Sequence, residues 1–359
     1  MSAVDPRRRA LLIAAGLAPL TPLLGCRAPT LAVYNWGDYL AKDVVDRFIA
    51  RETAEGRALR VTQDFYLSEA ELLAKLRAKT THDVVVPIDY LMARMLKEGL
   101  LRPLDLTALP GVAHLDPAYP PWRPDEKLRA EYGDAAYGVP YFWGVTGIGY
   151  DSERVDPPPT SWRALFDPRY AGRISVLDSK GDVFDQAQLA AGLGVNCKDK
   201  KALREVVFPM LLAQKKLLRA YDPHPERALA SGETWIAQVD GGDLLRAQET
   251  RKSLRFVLPE EGAPYWVDYL SIPANAESPD TALRFLEFLL DPEIAAINAN
   301  ALHFATPNKT ALDRGLVRDA GIAEIYARER GGPPLPRSLN WAGSVKELVD
   351  ALWLELRGA

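Results

Sequence analysis

The chain has 359 residues, 48% of them apolar, and carries a formal net charge of −4. That length accommodates two ordinary domains, and the composition is that of a globular protein. The acidic balance argues against nucleic acid or anionic lipid as the main partner, since both select a basic face; it is compatible with a cationic ligand.

The first element is an export signal over residues 1–25. Arg7, Arg8 and Arg9 form a basic start, an apolar run follows, and Leu23-Leu24-Gly25-Cys26 supplies a small-residue cleavage point. Pro19 and Pro22 interrupt the apolar run, which is too short for a membrane span. Leu23 to Cys26 resembles the lipobox of bacterial lipoproteins, which implies lipidation of Cys26 and membrane contact through that anchor only. The arginines before Ala10-Leu11-Leu12 also resemble a twin-arginine signal, and a plain cleaved signal with an incidental Cys26 remains the alternative. Cys197 is the one other cysteine, so no disulfide forms within the mature monomer.

From Thr30 onward, apolar runs alternate with amphipathic segments. Leu31 to Tyr34 reads as a strand, Lys42 to Arg51 as a helix and Leu59 to Phe65 as a strand. Ser68 and Glu71 have capping-box spacing at the start of a helix running to Leu76. Asp83-Val-Val-Val-Pro87 is a short apolar strand of the kind buried in parallel sheets, and Asp89 to Glu98 is a helix. This is the grammar of a doubly wound sheet. Prolines 103, 117, 120, 121 and 124 mark an ordered excursion, and Tyr137 to Tyr150 is a long extended segment able to pass from one domain to another.

The second half repeats the pattern. Helices are expected at Ser161–Phe166, Asp182–Leu193 and Lys200–Leu218, and strands at Arg173–Leu177, Thr234–Val239 and Leu254–Leu258. A helix runs from Asp240-Gly-Gly-Asp243 to Gln248, and Tyr265 to Pro273 is extended. Pro279–Leu290, Pro292–Ala299 and Ala342–Leu356 close the chain as helices.

Enzyme signatures are lacking. His82, His114, His224 and His303 are scattered without metal-ligand spacing, and neither a nucleophile elbow nor a phosphate loop is present. No cofactor or metal is expected. What recurs is an acid beside an aromatic at strand ends: Trp36 with Asp38 and Tyr39, Asp89 with Tyr90, Asp240 with Asp243, and Trp266 with Asp268. Open α/β folds bind ligands at the carboxyl ends of strands, and carboxylates with aromatic faces suit an organic cation. Each pair also has a packing or helix-capping explanation.

Tyr34-Asn-Trp-Gly-Asp-Tyr39, Asp83-Val-Val-Val-Pro87 and Gly138-Val-Pro-Tyr-Phe-Trp-Gly-Val-Thr-Gly-Ile-Gly149 resemble the spermidine/putrescine-binding periplasmic proteins, as do Trp266 to Ala276 and Ala305-Thr-Pro-Asn308. The likeness runs in order from about Leu31 to the C-terminus. It implies a two-lobed type II periplasmic binding fold, each lobe a mainly parallel sheet flanked by helices, that holds a polyamine in the interlobe cleft and delivers it to an inner-membrane ABC permease with its ATPase. By position it points to Trp36, Asp38, Tyr39, Tyr90, Asp182, Trp266 and Asp268 as ligand residues. Departures occur where Gly37 and Ile88 replace hydroxyl residues, Ser179 replaces an acid, Asp240 replaces a Trp, Asp243 follows it, and Phe304 replaces a Tyr; an amide position falls loosely near Asn340.

The expected ligand site is therefore Trp36, Asp38, Tyr39, Asp89, Tyr90, Ser179, Asp182, Asp240, Asp243, Trp266, Asp268 and Phe304. Asp38, Asp182 and Asp268 are the expected ammonium partners. Lobe one is expected over 30–141 plus 269–335 and lobe two over 142–268 plus 336–359, in a monomeric periplasmic protein. Another cationic amine or amino-acid derivative in the same fold is the first alternative, and an exported enzyme using paired acids such as Asp240 and Asp243 is the second.

Overall fold

The computed structural model describes residues 29–318, 334–339 and 341–359. The export signal, Cys26, Asn340 and part of the expected end of lobe one lie outside the described residues.

The first half is built on a three-stranded parallel sheet of order β2-β1-β3, with β1 Thr30–Trp36 at its centre, β2 Arg60–Tyr66 and β3 Val84–Val85. Leu31, Val33 and Tyr34 are buried because β1 is covered on both faces. Helix α1 Lys42–Ala54 buries Val44, Val45 and Phe48, and α3 Asp89–Lys97 buries Leu91, Met92, Met95 and Leu96. Between them, α2 Glu69–Arg77 starts at Ser68, whose hydroxyl accepts from the Glu71 N–H at 3.3 Å. The Glu71 carboxylate accepts from the backbone of Leu67, one residue before the position an ideal capping box uses.

After the short helix α4 Glu126–Tyr132, strand β4 Val139–Asp151 is buried along its whole length and serves both halves. Its start pairs antiparallel with β9 Tyr265–Leu270, and its end pairs antiparallel with β7 Ile236–Asp240 and β8 Leu254–Val257. Strand β5 Ile174–Leu177 lies parallel to β7 and to β6 Leu218–Asp222, giving the order β6-β5-β7-β4-β8. Just beyond β9, Ser271 bridges back to Val85 of β3.

Helices α5 Lys180–Ala190, α6 Lys200–Ala202, α7 Phe208–Lys215, α8 Pro225–Ser231 and α9 Gly241–Thr250 belong to the second half. The helix expected to reach Leu218 ends at Lys215, and Leu218–Asp222 is an edge strand. Its apolar residues continue the helical pattern of α7, and a half-exposed edge strand leaves little alternation in sequence. Between α6 and α7, a π turn at Leu203–Val207 precedes Pro209, which lacks the N–H a regular turn needs.

The last helices divide between the two cores. Helices α10 Pro279–Leu290 and α11 Pro292–Leu302 pack with α1, with Phe48 and Phe285 ring centroids 4.8 Å apart. After the one-turn α12 Lys309–Asp313, α13 Gly343–Gly358 sends Val349, Leu352 and Leu356 into the other core beside Val183 and Phe184. The result is the expected α/β architecture of two sheet-centred halves joined by crossing strands.

Candidate binding cleft

The carboxyl ends of β1, β2 and β7 and the loops after β3, β5 and β6 open onto one cleft that encloses about 1290 Å³ of space, part of it open solvent. The loop after β1 is folded by Asn35, whose side-chain oxygen accepts from the Trp36 N–H at 2.8 Å and whose amide donates to the Tyr39 carbonyl at 3.4 Å. Asp38 sits at φ 52°, a left-handed conformation that short polar side chains tolerate. The turn leaves Asp38 exposed and sends Tyr39 inward, where its hydroxyl donates to Asp268 Oδ2 at 2.7 Å. Trp36 packs on Tyr66, with ring centroids 4.4 Å apart.

Opposite this wall, Asp240 ends β7 and accepts at Oδ1 from Thr146 Oγ1 (2.7 Å) and from Trp266 Nε1 (3.1 Å). Trp266 and Asp268 lie two apart on β9 and so face the same side. Gly144, paired with Trp266 in register, permits this: a Cβ on Gly144 would collide with the indole ring. Phe304 lies against Tyr39 at 4.8 Å and Trp266 at 5.9 Å, between ring centroids. Ser179 and Asp182 stand at the start of α5, where Gln238 donates to the Asp182 carbonyl at 2.8 Å. Asp243 is paired with Arg246.

Eleven of the twelve expected residues line this cleft: Trp36, Asp38, Tyr39, Tyr90, Ser179, Asp182, Asp240, Asp243, Trp266, Asp268 and Phe304. Asp89 does not line it. It is 3% exposed, lies behind the wall, and binds Arg337 Nε at 2.5 Å and its neighbour's N–H. Starting a helix at a strand end placed it near the cleft in sequence, but the helix turns its carboxylate toward the 334–339 segment.

Four further residues of the cleft escaped the sequence reading. Glu69 opens α2 and accepts from the Tyr90 hydroxyl at 2.6 Å. It obeys the same rule of an acid after a strand end and was open to that search. Glu226 and Arg227 begin α8, which is hidden once β6 is taken for helix. Thr146 is an unremarkable residue of a long strand, and nothing local marks it.

The lining carries eight carboxylate side chains against two guanidinium groups and one imidazole. Burial, then repulsion among neighbouring acids, drives their pKa values up: Asp182 and Asp240 to about 7, Glu226 to about 8, and Asp243 and Asp268 above the ordinary carboxylate range. The Tyr39 hydroxyl opposes the shift of Asp268 without cancelling it. Asp268 Oδ1 and Glu226 Oε2 are buried with no hydrogen-bond partner among the described residues, as is Trp36 Nε1. Buried polar atoms are ordinarily paired, and these three unpaired ones belong to residues that line the cleft. A compact field of buried acids walled by rings can hold a cation with an apolar body. Among the described residues, no group of three or more His, Cys, Asp or Glu is placed to hold a metal ion, and no helix is long and apolar enough to cross a membrane.

A sequence profile of the family described as bacterial extracellular solute-binding protein matches residues 50–324. The spermidine/putrescine-binding periplasmic protein of Salmonella typhimurium is 31% identical over 286 residues, covering 79% of this chain and 78% of that one. The putrescine-binding periplasmic protein PotF of Escherichia coli is 30% identical over 332 residues, 87% of each chain. Among solved structures, a putative spermidine/putrescine ABC transporter from Listeria monocytogenes superposes with a TM-score of 0.77 at 28% identity, covering 91% of this chain and 98% of that one. With its two-lobed fold and interlobe cleft, the chain belongs to the bacterial extracellular solute-binding proteins, in the group that holds the spermidine/putrescine-binding periplasmic proteins.

Proposed function

We propose that this protein captures a polyamine of the putrescine/spermidine class outside the cytoplasm and hands it, unreacted, to an inner-membrane ABC permease with its ATPase. The observation that carries this reading is the unpartnered Oδ1 of Asp268, a buried carboxylate oxygen in a cleft lined by acids and rings. An ammonium group satisfies it, while Trp36, Tyr90, Trp266 and Phe304 cover the methylene chain. The names of the relatives at about 30% identity support the same class. A thermal-shift screen of putrescine, spermidine, cadaverine, agmatine and betaines, followed by calorimetry and recovery of the ligand, tests it. A polyamine recovered intact after tight binding is expected; turnover, or no response to any polyamine, counts against it.

One observation favours a second reading. Trp36 Nε1 has no acceptor among the described residues, and Arg227 and Arg246 also line the cleft. A cationic amine that also carries a carboxylate or hydroxyl would engage these donors, and the betaine response in the same screen separates the two.

The lobes in this proposal are 30–141 plus 269–335 and 142–268 plus 336–359. The protein is a periplasmic monomer held at the membrane by a lipid on Cys26, and the mass of the mature N-terminus decides that anchor.

A further inference from the structure

Glu226 stands at the start of α8 and is 8% exposed. Its Oε2 has no hydrogen-bond partner among the described residues, and it lines the same cleft as Asp268. The cations near it are engaged elsewhere or too far for a hydrogen bond. Arg246 is paired with Asp243 and donates to the Leu302 carbonyl at 2.8 Å. Arg227 reaches Asp38 at 3.6 Å and leaves its Nε 3.6 Å from Glu226 Oε1, while His224 Nδ1 stands 3.5 Å away.

Among the described residues the cleft thus contains two buried carboxylates with an oxygen left over, carried by different elements. Asp268 is on β9 beside the Tyr39 wall, and Glu226 is on the helix after the edge strand β6. Asp240 at the end of β7 and Asp243 in the first turn of α9 line the same cleft. A buried charge left unpaired is costly and is stabilised by a closely placed counterion. A ligand with one ammonium would satisfy only one of these two leftover oxygens.

We propose that Glu226 is the seat of a second ammonium, so that Asp268 and Glu226 hold the two ends of a linear di- or polyamine across the cleft. This rests on the polyamine reading above and adds the residue that selects ligands by number and spacing of charges.

Calorimetry with putrescine and n-butylamine, which share a four-carbon chain but differ by one ammonium, tests the assignment. The wild type is expected to prefer putrescine, and in Glu226→Gln that preference falls by about tenfold or more, the loss expected for a charge-assisted contact. Glu226→Asp keeps the charge but withdraws it by one methylene, and is expected to shift preference from putrescine toward cadaverine. A wild type that prefers putrescine and a Glu226→Gln variant that keeps the full preference overturn the second seat alone. A wild type indifferent to both amines overturns the polyamine reading and this seat with it.

Discussion

Replacing Asp268 with Asn removes one charge from the cleft while keeping the shape of the side chain. The carboxylate is 4% exposed, so the solvent screening that makes surface pairs nearly worthless does not apply. Removing one partner of a buried charge pair costs about 3–5 kcal/mol. Two features of the structure place the expected loss at the low end. The orphaned partner is a ligand that can return to water, and the field of Asp240 and Glu69 still reaches the site. A loss of about 3 kcal/mol corresponds to roughly a hundredfold weaker binding. Calorimetry with putrescine or spermidine at about pH 8 measures it, above the values near 7 reached by Asp182 and Asp240. The ligand-free variant is expected to melt no lower than the wild type, because the substitution relieves a desolvated carboxylate. Affinity within about threefold of wild type, a difference under 1 kcal/mol, would refute the claim that Asp268 is an ammonium partner.

The raised acids make stability and binding depend on pH in opposite directions. A carboxyl group whose folded pKa lies above its unfolded value near 4 holds its proton more tightly in the folded state, so its contribution is largest at low pH and falls as pH rises. For Asp182 and Asp240 the window runs from about 4 to about 7, and for Glu226 to about 8. The ligand-free melting temperature is therefore expected to drop across this range, while the shift caused by polyamine grows; a ligand effect that shrinks with rising pH contradicts the reasoning. Gly144→Ala is expected to push the Trp266 ring off β4 and break its bond to Asp240, weakening polyamine binding by up to about thirtyfold on the scale of a cation–π contact, with a matching change in indole fluorescence. Arg337→Ala leaves Asp89 buried without its counterion. Because Arg337 is partly exposed, the expected loss is about 2 kcal/mol, read as a lower melting temperature and recovered when Asp89→Asn is added.

The walls of the cleft were more legible in the sequence than their corners. Trp36, Tyr39, Trp266 and Asp268 follow apolar runs whose ends must lie at the rim of a sheet, and an acid between aromatics there carries a chemical meaning of its own. Asp89 obeys the same rule yet faces away, because the side-chain direction at a helix start depends on what packs beside it, here Arg337 from 248 residues later. Glu226 failed for the opposite reason. Its helix follows an edge strand whose half-exposed residues carry no clear period, so the strand end that would have flagged it was invisible. Thr146 shows a third limit: its role comes wholly from Asp240 across the antiparallel pair, a register no local pattern encodes.

A cleft this acidic raises the question of how the ligand-free protein tolerates it. If all eight lining carboxylates were ionised, two guanidinium groups could not balance them, and mutual repulsion in a partly dry site would hold the halves apart. Burial supplies the answer: it raises the pKa of the buried acids, so that they hold protons to higher pH than exposed carboxyl groups do when no cation is present. Binding then becomes an exchange, with ammonium groups entering and protons leaving. The exchange favours ligands whose charges fall where the acids are, since a misplaced ammonium leaves one acid protonated and another unpaired. Selectivity thus comes from matching a pattern of charge, and the protons released per ligand count the acids it engages. Calorimetry in buffers of different ionisation enthalpy reads that number directly, and a ligand bound with no proton release at neutral pH would mean that the buried acids are not its partners.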